Sequence, residues 1–470
     1  MKKLLLINPW IYDFTAYDLW SKPLGLLYIA SFLRKQGYET RLIDCLEKSS
    51  NLRKGKRIKR FGTGKYDRAI VEKPQALSHI PRFYARYGIK EEDFIRRLKE
   101  ATDSEAVLVT SIMTYWYPGV KRVVDLCREY LPGVPVILGG IYASLMPQHA
   151  KENIKPDYLV EGPGELRVLS ILNELAGQNV DAASLPKCID DYPFPAFDLL
   201  NQVDYLPIMT SRGCPYNCTF CAQKLISMPF VQRNPDCVVE EFGEHYKRFK
   251  RRDFAFYDDA LFIKRDTHIK TILTKLIEKK WPLRLHSPNG LFAKYVDREM
   301  AELMYRSSFK TVRLSFETSN EERRKDMQTK VTNEDIIRAV EYLVRAGYKS
   351  QNLESYVLMG LPDQTVEEII ASMLFVHNLG IQIRLASFSP IPGTVEYERA
   401  VQNGLIEKDM DPLLTNKTIF PLHRDPKEYQ TYRKIRMFSH ILNYSLQRGL
   451  IMFDESSFTQ SVKKVVSQLR

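Results

Sequence analysis

The chain has 470 residues, 44% of them hydrophobic and 11% aromatic, which suits two or three domains with sizeable cores and excludes a disordered protein. No apolar run approaches the roughly 20 residues of a membrane-spanning helix, and the opening MKKLLLINPW has too short an apolar core for a secretory signal, so a cytoplasmic location with no membrane contact is expected. The formal charge of +12 concentrates in RKGKRIKR (Arg53–Arg60) and KRFKRR (Lys247–Arg252), read as solvated surface rather than a nucleic-acid site, the second at a helix C-terminus.

KLLLIN (Lys3–Asn8) is a continuous apolar run of strand length. PLGLLYIASFLRKQG follows with Leu26, Ile29, Ala30 and Leu33 at helical spacing and Gly37 as a stop, and YETRLID reads as the next strand. After an insertion come strand EAVLVTSI (Glu105–Ile112), helix PGVKRVVDLCREYLP, strand VPVILGG (Val134–Gly140), a short polar helix and strand DYLVEG (Asp157–Gly162). This alternation predicts an α/β domain over residues 1–185, a doubly wound, Rossmann-like sheet whose ligands bind outside the carboxyl ends of the strands. The residues there are Asn8 and Pro9, Thr110 and Ser111, Gly139 and Gly140, and Glu161 and Gly162. The glycine pair reads equally as a plain turn and as a point where a bulky planar ligand reaches the backbone.

Residues 186–200, including DDYPFPAFDLL, read as a linker. Strands are then expected at YLPIMTS, DFAFYDD, LRLHSPNG, TVRLSFET, ESYVLMG and IRLASFSP, with amphipathic helices between them such as VDREMAELMYRSS and TNEDIIRAVEYLVRAG, the latter capped by Thr332. Over residues 201–400 that succession suits a partial (β/α)6 TIM-like barrel, whose chemistry belongs at the strand C-termini. Residues 401–470 turn helical and show no catalytic spacing.

GCPYNCTFC (Gly213–Cys221) places Cys214, Cys218 and Cys221 just after the first of these barrel strands. In a reducing compartment such a cluster is better explained by metal than by disulfides. Cys45, Cys127, Cys188 and Cys237 stand singly and are expected as small buried apolar residues. Structural zinc wants four ligands, yet neither His245 nor His268 has finger spacing and no fourth cysteine follows before Cys237. A 4Fe-4S cluster held by three thiolates leaves one iron open to a substrate or cofactor.

The pattern C-x-x-x-C-x-x-C with an aromatic before its last cysteine, here Cys214, Cys218, Phe220 and Cys221, resembles the radical S-adenosylmethionine enzymes, and further motifs follow in order. FYDDALF, with Asp258 and Asp259, occupies the second-strand motif that meets the cofactor's amino group. LSFETSN places Glu317 and Thr318 at the fourth strand, while MGLPDQT and SPIPGT, the latter with Ser389, look like the fifth- and sixth-strand motifs. The resemblance implies that a reduced cluster cleaves S-adenosylmethionine to a 5'-deoxyadenosyl radical, fed by an electron donor such as flavodoxin or ferredoxin, while the protein positions the cofactor. Asp258, Asp259 and Glu317 can pair with its amine or ribose hydroxyls, although each also reads as an ordinary acid in a loop after a strand.

Beside this barrel, the N-terminal region resembles the cobalamin-binding domain found upstream of many such enzymes, through LVTSIMTYW with Thr110 and Ser111, LGGIYAS with Gly139 and Gly140, and VEGPGE with Glu161 and Gly162. The usual D-x-H-x-x-G is missing: NPWIYDFTAYDLWSKPLG contains no histidine, so either cobalamin binds without that lower ligand, the reading favoured here, or the domain has lost the cofactor and only shapes a substrate pocket. Trp10, Tyr12, Trp20, Tyr115 and Trp116 serve either as corrin surface or as core, and His79 and His149 are expected at the surface rather than as ligands. The resemblance implies methylation of an unactivated carbon in a small-molecule or peptide substrate, with rearrangement or ring formation without net methylation as the alternative. A tRNA methylthiotransferase would need three more N-terminal cysteines where only Cys45 and Cys127 occur, and the run of cofactor motifs opposes a non-catalytic iron-sulfur protein.

Overall fold

The computed structural model describes residues 2–49, 60–177, 185–450 and 458–469, which form two compact units. Of the basic run Arg53–Arg60, only Arg60 lies among the described residues, and it is exposed. Lys247 and Arg248 are exposed at the end of the helix Pro235–Phe249, as its charge pattern suggests. Among the described residues no helix is long and apolar enough to cross a membrane.

The first unit comprises Met1–Pro207, Gln223–Arg233 and Asp411–Thr415. Its sheet contains β1 (Lys3–Asn8), β2 (Glu39–Asp44), β3 (Ala106–Val109), β4 (Val136–Leu138) and β5 (Tyr158–Leu159), paired in parallel in the order β5-β4-β3-β1-β2. In chain order this is the 2-1-3-4-5 arrangement of a doubly wound sheet, with the direction of winding reversing between β1 and β3. Alternation along the strands supplies two cores. Leu5, Ile7, Val107, Val109, Val136 and Leu138 face α2 (Glu91–Lys99) and α3 (Tyr117–Tyr130). Leu4, Leu6, Ala106, Leu108 and Ile137 face α1 (Leu24–Lys35) and α4 (Glu165–Leu175). Strands buried on both faces read as unbroken apolar runs, which is why they were visible in the sequence.

The insertion after β2 has structure that periodicity did not show. Ile11–Asp13, Ala85–Tyr87 and Arg68–Ile70 form a small antiparallel sheet, each strand too short for an alternation to register. The buried ion pair of Lys48 and Asp18, 2.6 Å apart, ties this insertion to the segment after β1, and the Tyr205 hydroxyl donates to the same carboxylate at 2.6 Å. Residues 186–200 lie within this unit, where Ala196 and Phe197 are buried and the Ala196 amide donates to Leu27 O at 3.1 Å.

Cys45 and Cys127 are buried, as expected, but Cys188 is exposed and Cys237 only half-buried. Cys188 caps the turn Ile189–Asp191, its amide donating to Asp191 Oδ2 at 2.9 Å, and Cys237 lies off the face of its helix that buries Val238, Val239 and Phe242.

The second unit comprises Ile208–Ala222, Asn234–Met410 and Asn416–Arg470. Its strands are β6 (Leu206–Ile208), β7 (Asp253–Phe256), β8 (Arg284–His286), β9 (Phe309–Glu317), β10 (Leu353–Met359) and β11 (Gln382–Ser387), adjacent in sequence order. Strands β7 to β11 pair in parallel, and no pairing joins β6 to β11 among the described residues, so the barrel is partial. The expected helices form, with Asp297 capping Arg298–Arg306 and Thr332 building a capping box with Asp335 at α5 (Asn333–Arg345). The free edge of β11 is covered by α7 (Pro426–Gln447), whose Asn443 accepts from Ile383 N and donates to Ile383 O, both at 2.8 Å. A side-chain amide thus replaces the missing neighbour strand at an otherwise sticky edge. Between β11 and α7 lies α6 (Val395–Gln402), whose Glu396 meets the cysteine loop at Thr219.

Across β7, β8 and β9, His286 Nε2 lies 3.0 Å from Asp253 Oδ1 and its Nδ1 is 2.9 Å from Thr311 Oγ1, while Arg284 pairs with the same aspartate. Burial acts to raise the Asp253 carboxyl, but the His286 and Arg284 hydrogen bonds outweigh it and hold the group below the usual carboxylate range. Removing that carboxylate strands a guanidinium and an imidazole. Asp253→Ala is therefore expected to destabilise the barrel by about 3 kcal/mol, read as a lower thermal midpoint at pH 7.5. A stability equal to wild type would show that these three strands do not depend on the network.

Candidate functional site

Two groups of sequence-predicted residues are assembled, one in each unit. In the first unit, Thr110, Ser111, Gly139, Gly140, Glu161 and Gly162 follow the carboxyl ends of β3, β4 and β5. Ser111 Oγ donates to Gly139 O at 2.7 Å, Ile141 N donates to Ser111 O at 2.8 Å, and Thr110 N reaches Ile7 O at 3.1 Å. Ser144, which the motif reading passed over, closes the chain: its hydroxyl donates to Gly140 O at 2.9 Å and accepts from Gly162 N at 2.8 Å. Gly140 has φ +97°, and a Cβ there would stand 2.3 Å from Ser111 O, so only glycine fits. Gly139 is under no such constraint, since a Cβ would meet Val160 at an ordinary 3.6 Å. Glu161 is exposed. Sites of this kind sit beside the reversal of winding, which β3 borders.

The aromatic residues divide. Trp10, Trp20 and Tyr115 are buried in the core, Trp10 packing 4.7 Å from Phe94 and donating to Ile89 O at 2.8 Å. Trp116 is half-buried, with its indole N–H on Asp13 Oδ2 at 2.8 Å. His79 is exposed, but His149 is half-buried rather than at the surface, 2.7 Å from the Tyr142 hydroxyl and edge-on to Tyr117. Burial lowers its basicity.

In the second unit, the cysteine loop begins where β6 ends. The buried Asp258 carboxylate, just beyond β7, accepts from Thr210 N at 3.1 Å, Thr210 Oγ1 at 2.6 Å and Ser211 Oγ at 2.6 Å, so its oxygens are spent on the root of the loop. Burial still leaves its pKa raised. Thr219, between Cys218 and Phe220, pins the far side: its amide donates to Met327 O at 3.2 Å and its hydroxyl to the buried Glu396 Oε1 at 2.6 Å, in the first turn of α6. A turn from Cys221 N to Cys218 O at 3.0 Å completes the loop, leaving Cys221 exposed and Cys214, Cys218 and Phe220 half-buried.

Acidic groups gather around these thiols. Glu317, the last residue of β9, has φ +69° and is half-buried, and desolvation of its carboxyl pushes it up to about 7 against the opposing charge of Lys330. Asp259 is exposed overall, yet the protein packed around its carboxyl and then the Asp258 charge push it up to about 7. Cys214 and Cys218 are raised by burial; Lys330 opposes this at both, while Asp259 adds to it at Cys214 and Glu317 at Cys218. Lys330 itself, absent from the motif reading, donates to Cys218 Sγ at 3.1 Å. Thr318 closes a local turn, accepting from Asn320 N at 3.1 Å, and Ser389 lies two residues beyond β11.

Among the described residues no three His, Cys, Asp or Glu side chains gather as they would around one metal ion. A multi-iron cluster takes its thiolates on different irons and does not need such convergence. The donor set of three thiols on one anchored loop, with a cation at one of them, fits such a cluster. Asp258→Ala, which frees Thr210 and Ser211, is expected to lower iron and sulfide bound per chain after anaerobic reconstitution while far-ultraviolet circular dichroism stays unchanged. Full loading in that variant would show that the loop does not need its anchor.

The Radical SAM superfamily model matches residues 208–376, and the B12 binding domain model matches residues 83–172. The chain is 23% identical over 476 residues to the cytidylyl-2-hydroxyethylphosphonate methyltransferase of Streptomyces wedmorensis, covering 87% of this chain and 83% of that protein. To an uncharacterized methyltransferase of Pyrococcus horikoshii it is 25% identical over 343 residues, 66% of this chain and 72% of the other. Its fold is shared by the radical S-adenosylmethionine methyltransferase TsrM from Kitasatospora setae, solved with cobalamin and a [4Fe-4S] cluster, at TM-score 0.65 and 16% identity over 97% of this chain and 90% of that one. The cobalamin-dependent S-adenosylmethionine radical enzyme OxsB shares it at TM-score 0.64 and 14% identity, over 100% of this chain and 75% of that one. The chain therefore carries a Radical SAM superfamily domain and a B12 binding domain in one polypeptide, and it has the fold of solved proteins that combine the two.

Proposed function

We propose that the protein is a cobalamin-dependent radical methyltransferase that methylates an unactivated carbon of a small organic or peptide substrate in the cytoplasm, drawing electrons from a flavodoxin- or ferredoxin-type donor. The observation that carries this reading is the three-cysteine loop at the C-terminal end of β6, anchored from both sides, on the same chain as a 2-1-3-4-5 sheet of cobalamin-binding type. When bound, the cluster with S-adenosylmethionine supplies radical generation and cobalamin supplies methyl transfer.

The chain's own residues have distinct tasks. Cys214, Cys218 and Cys221 would hold the cluster, and Glu317 and Asp259 would supply carboxylates to the cofactor's ammonium group through charge-assisted hydrogen bonds. Asp258 keeps the loop in place, with its oxygens already occupied. Thr110, Ser111, Gly139, Gly140 and Gly162 form the bed for the cobalamin tail, and Glu161 stands at its rim. Asn8 to Gly25 contains no histidine, so a cobalamin held here would not find a histidine in that stretch. The S. wedmorensis relative acts on a phosphonate, by its name, and TsrM was solved with tryptophan, so the relatives support the reaction class and not one substrate.

Reduced, reconstituted protein mixed with S-adenosylmethionine is expected to release 5'-deoxyadenosine, and extraction of the purified protein is expected to yield cobalamin. Cys214→Ala, Cys218→Ala and Cys221→Ala should each abolish cluster absorbance; an intact cluster in any one would overturn the ligand assignment. Release of 5'-deoxyadenosine from a protein that cannot be loaded with cobalamin would favour rearrangement over methylation.

The pKa of Glu317 adds a pH signature. A carboxyl raised to about 7 gains charge as pH rises through that value. Affinity for S-adenosylmethionine is therefore expected to tighten about tenfold between pH 6 and pH 8, following the ionised fraction. Glu317→Gln should remove most of that dependence, measured by equilibrium dialysis. A wild-type affinity flat across this range would show that no such carboxylate meets the cofactor.

A further inference from the structure

Lys330 has no part in the motifs that mark the cluster or its cofactor, yet it is the cation placed on a cluster-ligating sulfur. Its Nζ donates to Cys218 Sγ at 3.1 Å and lies 3.6 Å from the centroid of the Tyr216 ring, within the same cysteine loop. A second lysine, Lys294, stands farther off at 5.0 Å from that ring.

The position of Lys330 is not left to a loose loop. On its N-terminal side, Thr329 N donates to Arg324 O at 3.1 Å, and Arg324 Nη1 donates to Asn333 Oδ1 at 3.0 Å. On its C-terminal side Val331 is buried, and Thr332 opens α5 with a reciprocal capping box. Both flanks are fixed, so the side chain needs only its own rotamers to reach Cys218. Tyr216, which carries the ring under the ammonium, is held by a hydroxyl contact with Tyr295 and an edge-on contact with Phe292 at 5.2 Å. The aromatic face and the sulfur together select one place for the charge.

A bland account makes Lys330 the counter-ion of Glu317, whose carboxyl it does influence. Burial nevertheless keeps Glu317 at about 7 in spite of that charge, and the recorded hydrogen bond of Lys330 is to sulfur, not to the carboxylate. Cluster potentials respond to hydrogen bonds at the ligating sulfurs and to nearby charge. A cation 3.1 Å from one thiolate favours the cluster state with the additional electron.

We propose that Lys330 tunes the cluster, its ammonium on Cys218 and over Tyr216 raising the midpoint potential at which one electron from a low-potential donor reduces the oxidised 4Fe-4S centre. Lys330 itself gives neither electron nor proton. The proposal rests on the assignment of a cluster to the three cysteines.

The test is an EPR-monitored redox titration of anaerobically reconstituted protein without S-adenosylmethionine, using dithionite and viologen mediators. It compares wild type with Lys330→Met, Lys330→Gln and Lys330→Arg at matched iron and sulfide content. Met and Gln variants should shift the midpoint to more negative potential and give a smaller reduced-cluster signal at a fixed potential, while Arg, which keeps the charge and a donor, should stay closer to wild type. Unchanged midpoints in fully loaded Met and Gln variants would overturn the proposal, and an unchanged midpoint with weakened S-adenosylmethionine binding would assign the lysine to the cofactor instead. Failure of both neutral variants to load a cluster while wild type loads would make Lys330 a folding element of the loop and also overturn it. A wild-type protein that takes up no cluster would instead remove the cluster assignment itself.

Discussion

A single buried carboxylate holds the chain at the point where strand becomes cysteine loop. Asp258 receives the Thr210 amide and the hydroxyls of Thr210 and Ser211, so the segment just past the first barrel strand and the first turn beyond the second are locked together. Such a group cannot be left unsatisfied in the interior, and its three donors come from two consecutive residues. The loop is therefore fixed at its root before any thiol is considered. Thr219 repeats the device with Glu396 and Met327, so Cys214 and Cys218 lie between two anchors and Cys221 lies two residues past the second.

Around that span the electrostatics are uneven by construction. Burial raises Glu317, Asp259, Cys214 and Cys218 together, which would leave a pocket poor in charge, and Lys330 is the cation that opposes the trend at Glu317 and both cysteines. Glu317 is also held at φ +69°, a conformation that costs a residue with a Cβ about 1 kcal/mol or more and that places it at the strand end facing this group. A strained backbone and shifted acids at the mouth of a barrel are what a site for a cationic cofactor requires.

The N-terminal unit shows a different economy. At its strand ends Ser111, Gly139, Gly140, Ser144 and Gly162 are linked to one another by backbone and hydroxyl hydrogen bonds. Gly140 is required by its own neighbour, because Ser111 O occupies the space of a Cβ, whereas Gly139 is free of that constraint and can serve the approach of a ligand.

Much was legible in the residues alone. The strands of both sheets were visible because parallel strands covered on both faces must be apolar throughout, and the three cysteines were visible because metal-binding thiolates have to lie at fixed short spacing. The short antiparallel strands at Ile11–Asp13, Arg68–Ile70 and Ala85–Tyr87 were not, since three residues carry no period. Neither was the division of labour between adjacent acids: Asp258 and Asp259 are equivalent in a motif, and only packing turned one toward Thr210 and Ser211. Trp10 and Tyr115 could have been ligand surface or core until neighbours such as Phe94 covered them. Lys330 lies 112 positions from Cys218, and Asn443 lies 60 from the strand edge it covers. Sequence determined which local segments form and which chemistry the thiols can support, because both depend on near neighbours in the chain. Tertiary structure decided which charge meets which sulfur, because that depends on distance in space, which no spacing along the chain encodes.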